Sequence, residues 1–427
     1  MKSPFPKYLK WIGIAALVGV GSGIASGVFL LMLEKATEAR EAHPILIWGL
    51  PLGGLFVGWL YHRYGRAVEG GNNLIIDEFH DPKAVVPFRM APLVLLGTVV
   101  THLFGGSAGR EGTAVQMGGS IADQFTHYFK NTRFKINAGE RRALLMIGMS
   151  AGFGSVFGVP FAGTLFGLEV LAIGKLHLWA VIECAIAAFI AHFVTLSLGV
   201  HHAVYAHPPA VSWSLVGVGS AIVAGVAFGL AARIFARLTD AISRFSKARI
   251  PLLPIRIFVG GAVVAAIFLL IPISLRYAGL GVPIIIEAIQ HPLPHYDWIA
   301  KLVMTALTLG VGYKGGEVTP LLFVGAALGN SLSAILPGIP LPMLSAMGFV
   351  GVFAGAANTP FACTVMAMEL FGPQVGAFAA IACFASYLVS GHHGIYHAQR
   401  VHIPKTRYAS RTIELLMLPF RRVKNRT

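Results

Sequence analysis

Apolar runs alternate along this chain with short segments in which glycine or proline recurs every few residues. Residues 8–33 and 44–61 read as two spanning helices, joined by the charged turn Glu34-Lys-Ala-Thr-Glu-Ala-Arg40. A short segment follows, Glu69-Gly-Gly-Asn-Asn-Leu-Ile-Ile-Asp-Glu78, ending near Asp81-Pro82; Asn72 follows a glycine pair and is placed to cap the helix that Leu74 begins. A span at 88–103 leads into the glycine-bounded stretch 105–120, and a basic loop carrying Lys130, Arg133, Lys135, Arg141 and Arg142 comes next. Beyond it lie the glycine-rich segment from Gly152 to Glu169, a span near 177–199, a polar His-rich loop at 201–210 and a long helix over 211–245 with a basic end. Roughly ten apolar segments emerge, several of them shorter than the ~20 residues a spanning helix needs.

Composition sharpens this picture. The chain is 56% hydrophobic and only 12% charged, against about 25% charged in a soluble domain, which makes it a polytopic membrane protein. Its 50 glycines suit close helix packing in lipid. The net charge of +15 sits beside the spans: Lys2, Lys7 and Lys10 before the first, and a tail with Arg407, Arg411, Arg421, Arg422, Lys424 and Arg426 after the last. Such clusters mark the cytoplasmic side, so both termini are expected inside, and no soluble domain is left to bind nucleic acid. Cys184, Cys363 and Cys383 lie in apolar runs without metal or disulfide spacing.

The pattern occurs twice. Phe153, Pro160, Phe161, Ala162, Thr164 and Glu169 return as Phe353, Pro360, Phe361, Ala362, Thr364 and Glu369, a constant offset of 200. Gly109, Glu111, Thr113 and Gly119 match Gly315, Glu317, Thr319 and Gly325 at an offset of 206, and Gly70 with Glu78 aligns more loosely on Gly279 with Glu287. Two halves, about 8–200 and 211–400, share one plan within a single transmembrane domain, followed by the tail 401–427. Matching interrupted segments in two halves point to a transporter site at the repeat interface.

Candidate chemistry concentrates there. Arg110 and Glu111 lie deep in apolar sequence, where an ionisable residue costs about 3 kcal/mol and is a functional hypothesis by default. Thr113-Ala-Val-Gln-Met117 reads as the first turns of a helix, putting Glu111 at an N-terminus whose free N–H groups favour an anion. That position suits either the carboxylate or a dissolved anion in its place. A structural pairing with Arg110 is the bland alternative, but adjacent helical residues do not face each other. Glu317, in Gly315-Gly-Glu-Val-Thr-Pro320, has the same standing through the repeat, against a plain helix start. On spacing alone Asn72 reads more readily as a plain helix cap than as a ligand, and Tyr396 as an interfacial aromatic. His392, His393, His397 and His402 suggest a metal but fit a solvated interfacial cluster better; neither metal nor cofactor is expected. Gly105-Gly-Ser-Ala-Gly109 matches a nucleophile elbow, making an intramembrane serine hydrolase using Ser107 a remote alternative that lacks the soluble strand–turn–helix and its His/Asp partners. Glu169 and Glu369 read equally as proton carriers and as anchors of helix ends.

Gly109-Arg-Glu-Gly-Thr113, the Gly-Gly-Asn-Asn-Leu-Ile segment, Gly315-Gly-Glu-Val-Thr-Pro320, the paired Pro160 and Pro360 segments and Tyr396 resemble the CLC chloride channel and transporter family, in that family's order from about residue 8 to 400. The resemblance implies an all-α polytopic fold of two inverted repeats with broken and re-entrant helices. It also implies a homodimer in the cell membrane with one pore per subunit, and no appended regulatory domain. Asn72 stands at the family's usual Ser, Ile75 at a Pro, Thr113 at a Pro, and Glu317 where an apolar residue is usual. These departures resemble the fluoride/proton antiporter branch; a chloride channel or chloride/proton exchanger is the alternative. Chloride/proton exchangers carry a second proton glutamate where this chain has Val170, which leaves Glu111 and Glu317 as proton-coupling candidates. By the same resemblance the anion site takes Asn72 and Tyr396 with the helix starts at Gly112, Thr113, Val318 and Thr319. The dimer would use 159–199 and 359–391, through Ala185, Ala187, Ala188, Ala377, Ala379 and Ala380.

Overall fold

The computed structural model describes residues 5–132 and 135–405, so Lys2, Arg133 and the basic residues from Arg407 onward lie outside the described residues. Eight helices make the first half: α1 (Phe5–Ala42), α2 (Leu50–Leu60), α3 (Asn72–His80), α4 (Met90–Leu103), α5 (Glu111–Tyr128), α6 (Ala138–Phe157), α7 (Pro160–Glu169) and α8 (Val181–Ser197). The second half repeats the succession: α9 (Leu215–Arg249), α10 (Leu253–Leu270), α11 (Val282–Gln290), α12 (Asp297–Gly310), α13 (Val318–Leu332), α14 (Leu341–Ala357), α15 (Pro360–Phe371) and α16 (Gly376–Ser390). Among the described residues six helical stretches are long and apolar enough to cross a membrane, whereas α4, α13, α14 and α15 are apolar but only 10–17 residues long. Two short strands, β1 (Ala172–Ile173) and β2 (Arg400–Val401), pair in parallel and tie the end of α7 to the segment after α16.

Two boundaries differ from expectation. The charged stretch Glu34–Arg40 is no turn, because α1 continues through it to Ala42. Glu, Lys, Ala and Arg are all good helix formers, and Arg40 turns inward to donate to the His102 carbonyl at 3.2 Å. The second long helix begins at Leu215 rather than 211, where the Ser214 side chain accepts the Gly217 N–H at 3.0 Å.

Reciprocal contacts establish how the halves are related. The Glu169 carboxylate, at the end of α7, accepts the Phe361 and Ala362 N–H groups at 3.0 and 2.8 Å, at the start of α15. Glu369, at the end of α15, accepts those of Phe161 and Ala162 at 3.0 and 2.7 Å, at the start of α7. Each helix opens on a proline that brings no N–H of its own, and each is closed by the other's last acid. Only antiparallel helices related by a two-fold can do this, so the repeats are inverted. Gly109 and Gly316 exchange N–H···O bonds of 2.6 and 2.7 Å as an antiparallel pair, a second point on the same dyad.

That pair also corrects the alignment of the halves. Around the central stretch the structural offset is 207, not 206: Gly109 faces Gly316, and α5 begins at Glu111 where α13 begins at Val318. Gly118 meets the Gly148 backbone, as Gly325 meets that of Gly348, while Gly119 packs on Ile75 instead. The dyad therefore places Glu317 opposite Arg110, and Glu111 opposite Val318. Matching Glu to Glu by identity was one residue out of step with the backbone.

Ala187, Ala188 and Ala379 are fully buried inside the subunit, so they serve packing within the chain rather than an outward face. Cys184, Cys363 and Cys383 are buried free thiols. Replacing Glu369 with Ala should lower the thermal unfolding midpoint in detergent, on the scale of about 0.5–2 kcal/mol for a lost cap. Glu369→Gln, which keeps an acceptor oxygen, should lose less, and an unchanged midpoint for Ala would show that the cross-cap contributes nothing.

Candidate anion site at the two helix starts

Buried completely at the first position of α5, Glu111 reaches across the dyad to the start of α13. One carboxylate oxygen accepts the Thr319 N–H at 3.0 Å and the Arg110 N–H at 3.2 Å; the other accepts the Thr319 hydroxyl. The carboxylate thus sits where the free amides of a helix N-terminus point, the place an anion would take. Arg110 lies outside the helix as its cap residue, and its guanidinium comes to 3.6 Å from the carboxylate. The expectation that neighbours on a helix cannot pair fails here because only Glu111 is helical.

The helical ladder of α5 begins with the Ala114 N–H, bonded to the Arg110 carbonyl at 3.3 Å, which leaves the Gly112 and Thr113 amides outside it. The Thr113 hydroxyl turns away to Thr98 at 2.7 Å, so only its backbone remains for an anion. In α13 the first ladder bond is Leu321 N–H to the Glu317 carbonyl, and Pro320 has no N–H; Val318 and Thr319 supply the amides.

Below these starts lies a cavity of about 160 Å³ lined by Asn72, Gly112, Gln116, Lys314, Glu317 and Tyr396, among others. Asn72 is not a cap: α3 begins at Asn72 itself, Gly71 holds a positive φ of 56° before it, and no side chain caps the helix. Its amide nitrogen instead lies against Gly112, where an added Cβ would be 3.1 Å away, and its buried Oδ1 has no hydrogen-bond partner among the described residues. Tyr396 is buried rather than interfacial. Its segment is held by Asn73, which accepts the Ala398 N–H at 3.0 Å, by Ile395 N–H to the Ala356 carbonyl at 2.9 Å, and by Gln399 donating to the Val170 and Ala357 carbonyls.

The far end of α3 is fixed by a closed ion cluster. Arg141 donates to Asp123 at 2.8 and 2.7 Å and to Glu78 at 2.9 Å, and all three side chains are buried. The anchor locates Asn72 through a rigid nine-residue helix. Sequence reading passed over Asp123 and Glu78 as candidates, and also Lys314, whose ammonium lies 4.1 Å from the centre of the Tyr61 ring. A lone Lys in Val311-Gly-Tyr-Lys-Gly-Gly-Glu317 carries the signal of a membrane-depth charge. Lys314 and Glu317 also line a second cavity of about 280 Å³ with Asp240, Lys247, Arg256 and His397, which continues the first toward the basic end of α9.

Elsewhere the sequence candidates separate. The Ser107 hydroxyl bonds Thr305 at 2.8 Å rather than a base. His392 accepts the Lys405 N–H at 3.2 Å, His402 lies at the pocket beside β2, and His393 and His397 face Asp240. The four histidines form no single cluster.

A sequence profile described as "Voltage gated chloride channel" matches residues 53–391. The chain is 53% identical over 402 residues to a "Chloride/fluoride channel protein" of Pseudomonas syringae pv. tomato, covering 93% of this chain and 87% of that one. It is 25% identical over 386 residues to an "H(+)/Cl(-) exchange transporter ClcA" of Vibrio vulnificus, covering 84% and 81%. Among solved structures, a CLC-type fluoride/proton antiporter superposes with a TM-score of 0.88 at 34% identity, over 94% of this chain and all of that one. A slow cyanobacterial Cl⁻/H⁺ antiporter superposes at 0.77 with 20% identity, a likeness of fold, over 96% and 98%. With inverted repeats, broken helices facing one buried carboxylate and these relatives, the chain belongs to the voltage-gated chloride channel (CLC) family of multi-pass membrane proteins.

Proposed function

We propose that the chain moves fluoride out of the cell in exchange for protons, and the observation that carries this is the Glu111 carboxylate seated on the start of α13. A tethered anion and a dissolved one compete for the same amides. Protonation removes the charge that holds the carboxylate there, so proton uptake and fluoride seating become alternating events. The 53% identical relative named for chloride and fluoride, and the 34% identical fluoride/proton antiporter, support the choice of cargo. Fluoride is small and strongly hydrated, so strong oriented donors must replace its water. The Asn72 amide, the Tyr396 hydroxyl and the amides of Gly112, Thr113, Val318 and Thr319 are donors of that kind.

Glu317 lines both cavities and serves as the second proton carrier, on the inner side of the site. Val170 has no ionisable group, and the Glu169 carboxylate is engaged by the Phe361 and Ala362 amides at the start of α15, so neither competes for that role. Both termini face the cytoplasm in this reading, residues 8–400 act as one transport domain, and the basic vestibule near Lys247 and Arg256 gathers anions from inside.

Purified protein in liposomes, with fluoride, chloride and pH recorded together, tests the proposal. Glu111→Gln should abolish coupled proton movement, as should Glu317→Ala and Glu317→Gln. Of the last two, Glu317→Gln should retain more fluoride binding, because its amide remains a donor. Wild-type fluoride and proton flux in Glu317→Ala would remove Glu317 from the proton path.

Asn72→Ser should reduce discrimination against chloride, on the scale of about 1–2 kcal/mol for one hydrogen bond to a charged group. An equal fluoride-to-chloride flux ratio in mutant and wild type would assign Asn72 no part in selectivity.

The assembly is a two-fold dimer with one pore in each subunit. Phe161, Ile182, Phe193, Phe361 and Leu388 form outward apolar surface on α7, α8, α15 and α16, the helices expected at the interface. Light scattering in mild detergent should give the mass of two chains, and a single-chain mass at high protein concentration would overturn the assignment.

A further inference from the structure

Outside the anion site, one group of metal-ligating side chains among the described residues converges from two separate parts of the chain. Asp240 projects from the last turns of α9 toward the segment after α16. The His393 Nε2 lies 3.1 Å from one of its carboxylate oxygens and the His397 Nε2 3.0 Å from the other. All three ligand positions fall within 4.8 Å of one another, and the two imidazole rings are 5.0 Å apart. The backbone carrying the histidines is fixed: Gly394 packs so closely on the Ala356 carbonyl that no side chain fits, and Ile395 N–H bonds that same oxygen at 2.9 Å. The side chains remain open to solvent, at 54% and 45% for the imidazoles and 26% for the carboxylate, so an ion has access.

We propose that Asp240, His393 and His397 form a binding site for a divalent transition-metal ion of the zinc class. Bonds of about 2.0–2.2 Å at tetrahedral angles place ligand atoms about 3.3–3.6 Å apart; each imidazole lies 3.0–3.1 Å from a different carboxylate oxygen, and with all three ligand positions within 4.8 Å, side-chain rotation alone brings them onto one ion. Two imidazoles and one carboxylate select zinc, nickel or copper over magnesium and calcium, which take oxygen ligands. Three protein ligands leave a fourth position for water. Arg237 and Arg244 act electrostatically on His393 and oppose a doubly charged ion, so the affinity expected is micromolar rather than nanomolar.

The location gives the site a consequence. His397 directly follows Tyr396, and Asp240 and His397 line the vestibule that also contains Glu317. An ion there bridges α9 to the segment that positions Tyr396, and adds positive charge at the vestibule wall. Bound metal should therefore slow transport; this part rests on the fluoride reading, while the binding itself does not.

The full chain without an affinity tag, in detergent and stripped with chelator, is titrated with Zn²⁺ by calorimetry. One saturable micromolar equivalent per chain is expected, unaffected by excess Mg²⁺ and lost in Asp240→Asn and His393→Ala, each checked for a single symmetric elution peak. No saturable site in the wild type, or wild-type binding in both variants, overturns the proposal. In liposomes with Zn²⁺ on both faces, fluoride efflux should fall relative to the zinc-free rate in the wild type but not in His393→Ala. Zinc binding with unchanged efflux overturns the link to Tyr396 and leaves the site standing.

Discussion

An anion at membrane depth has no water to hold it, so the protein must present unshared N–H groups and keep them from collapsing onto each other. Two helix starts brought head to head meet this requirement, and one backbone contact brings them there: the reciprocal Gly109–Gly316 pair. It requires close approach on both sides. A Cβ on Gly109 would come within 2.9 Å of the Gly316 carbonyl and 3.0 Å of the Glu111 carboxylate. The inverted repeat follows from this constraint, because a two-fold is the simplest way for one chain to deliver two equivalent helix ends to one point. The glycine contacts Gly118–Gly148 and Gly325–Gly348 then let the helices behind each start pack tightly.

Buried charges divide into two kinds around that point. Arg141 with Asp123 and Glu78 is closed on itself, and Tyr277 donates to Asp297 at 2.6 Å. Glu169 and Glu369 are closed on helix ends. Such groups fix elements in place and offer nothing to a passing ion. Lys314 and Glu317 are in no ion pair among the described residues and line both cavities, and Glu111 is bonded to amides and a hydroxyl that an anion would use equally well.

Much of this was legible in the sequence because it is written in residue types. Low charge and long apolar runs gave the spans, and the repeated Pro-Phe-Ala and Gly-x-Glu segments gave the two halves and the central stretch. What escaped depends on backbone register and side-chain direction. Identity aligned Glu317 with Glu111, whereas the backbone aligns it with Arg110. Spacing alone favours a cap at Asn72 while the family resemblance puts it at the anion site; Gly71 at positive φ starts the helix one residue earlier than a cap at Asn72 would allow, so the cap reading falls. The end of α1 was missed because charge suggested a turn where helix propensity continued. Residues 393 and 397 were visible as histidines, but nothing along the chain linked them to Asp240, more than a hundred positions earlier.

The register of Glu317 bears on direction. An inverted two-fold applied strictly to the site would make the two faces of the membrane equivalent, and a strictly symmetric site has no means to distinguish an ion leaving from an ion arriving. At the dyad-related cap positions this chain puts opposite charges: Arg110 before α5 and Glu317 before α13. Arg110 lies beside the Glu111 carboxylate at 3.6 Å and favours a negative occupant there. Glu317 faces the cavity shared with Lys314 on the opposite side, where a carboxylate repels an anion unless it holds a proton. The backbone supplies two like helix ends, and the residues on them, Arg110 and Glu111 against Glu317 and Val318, make them chemically unlike.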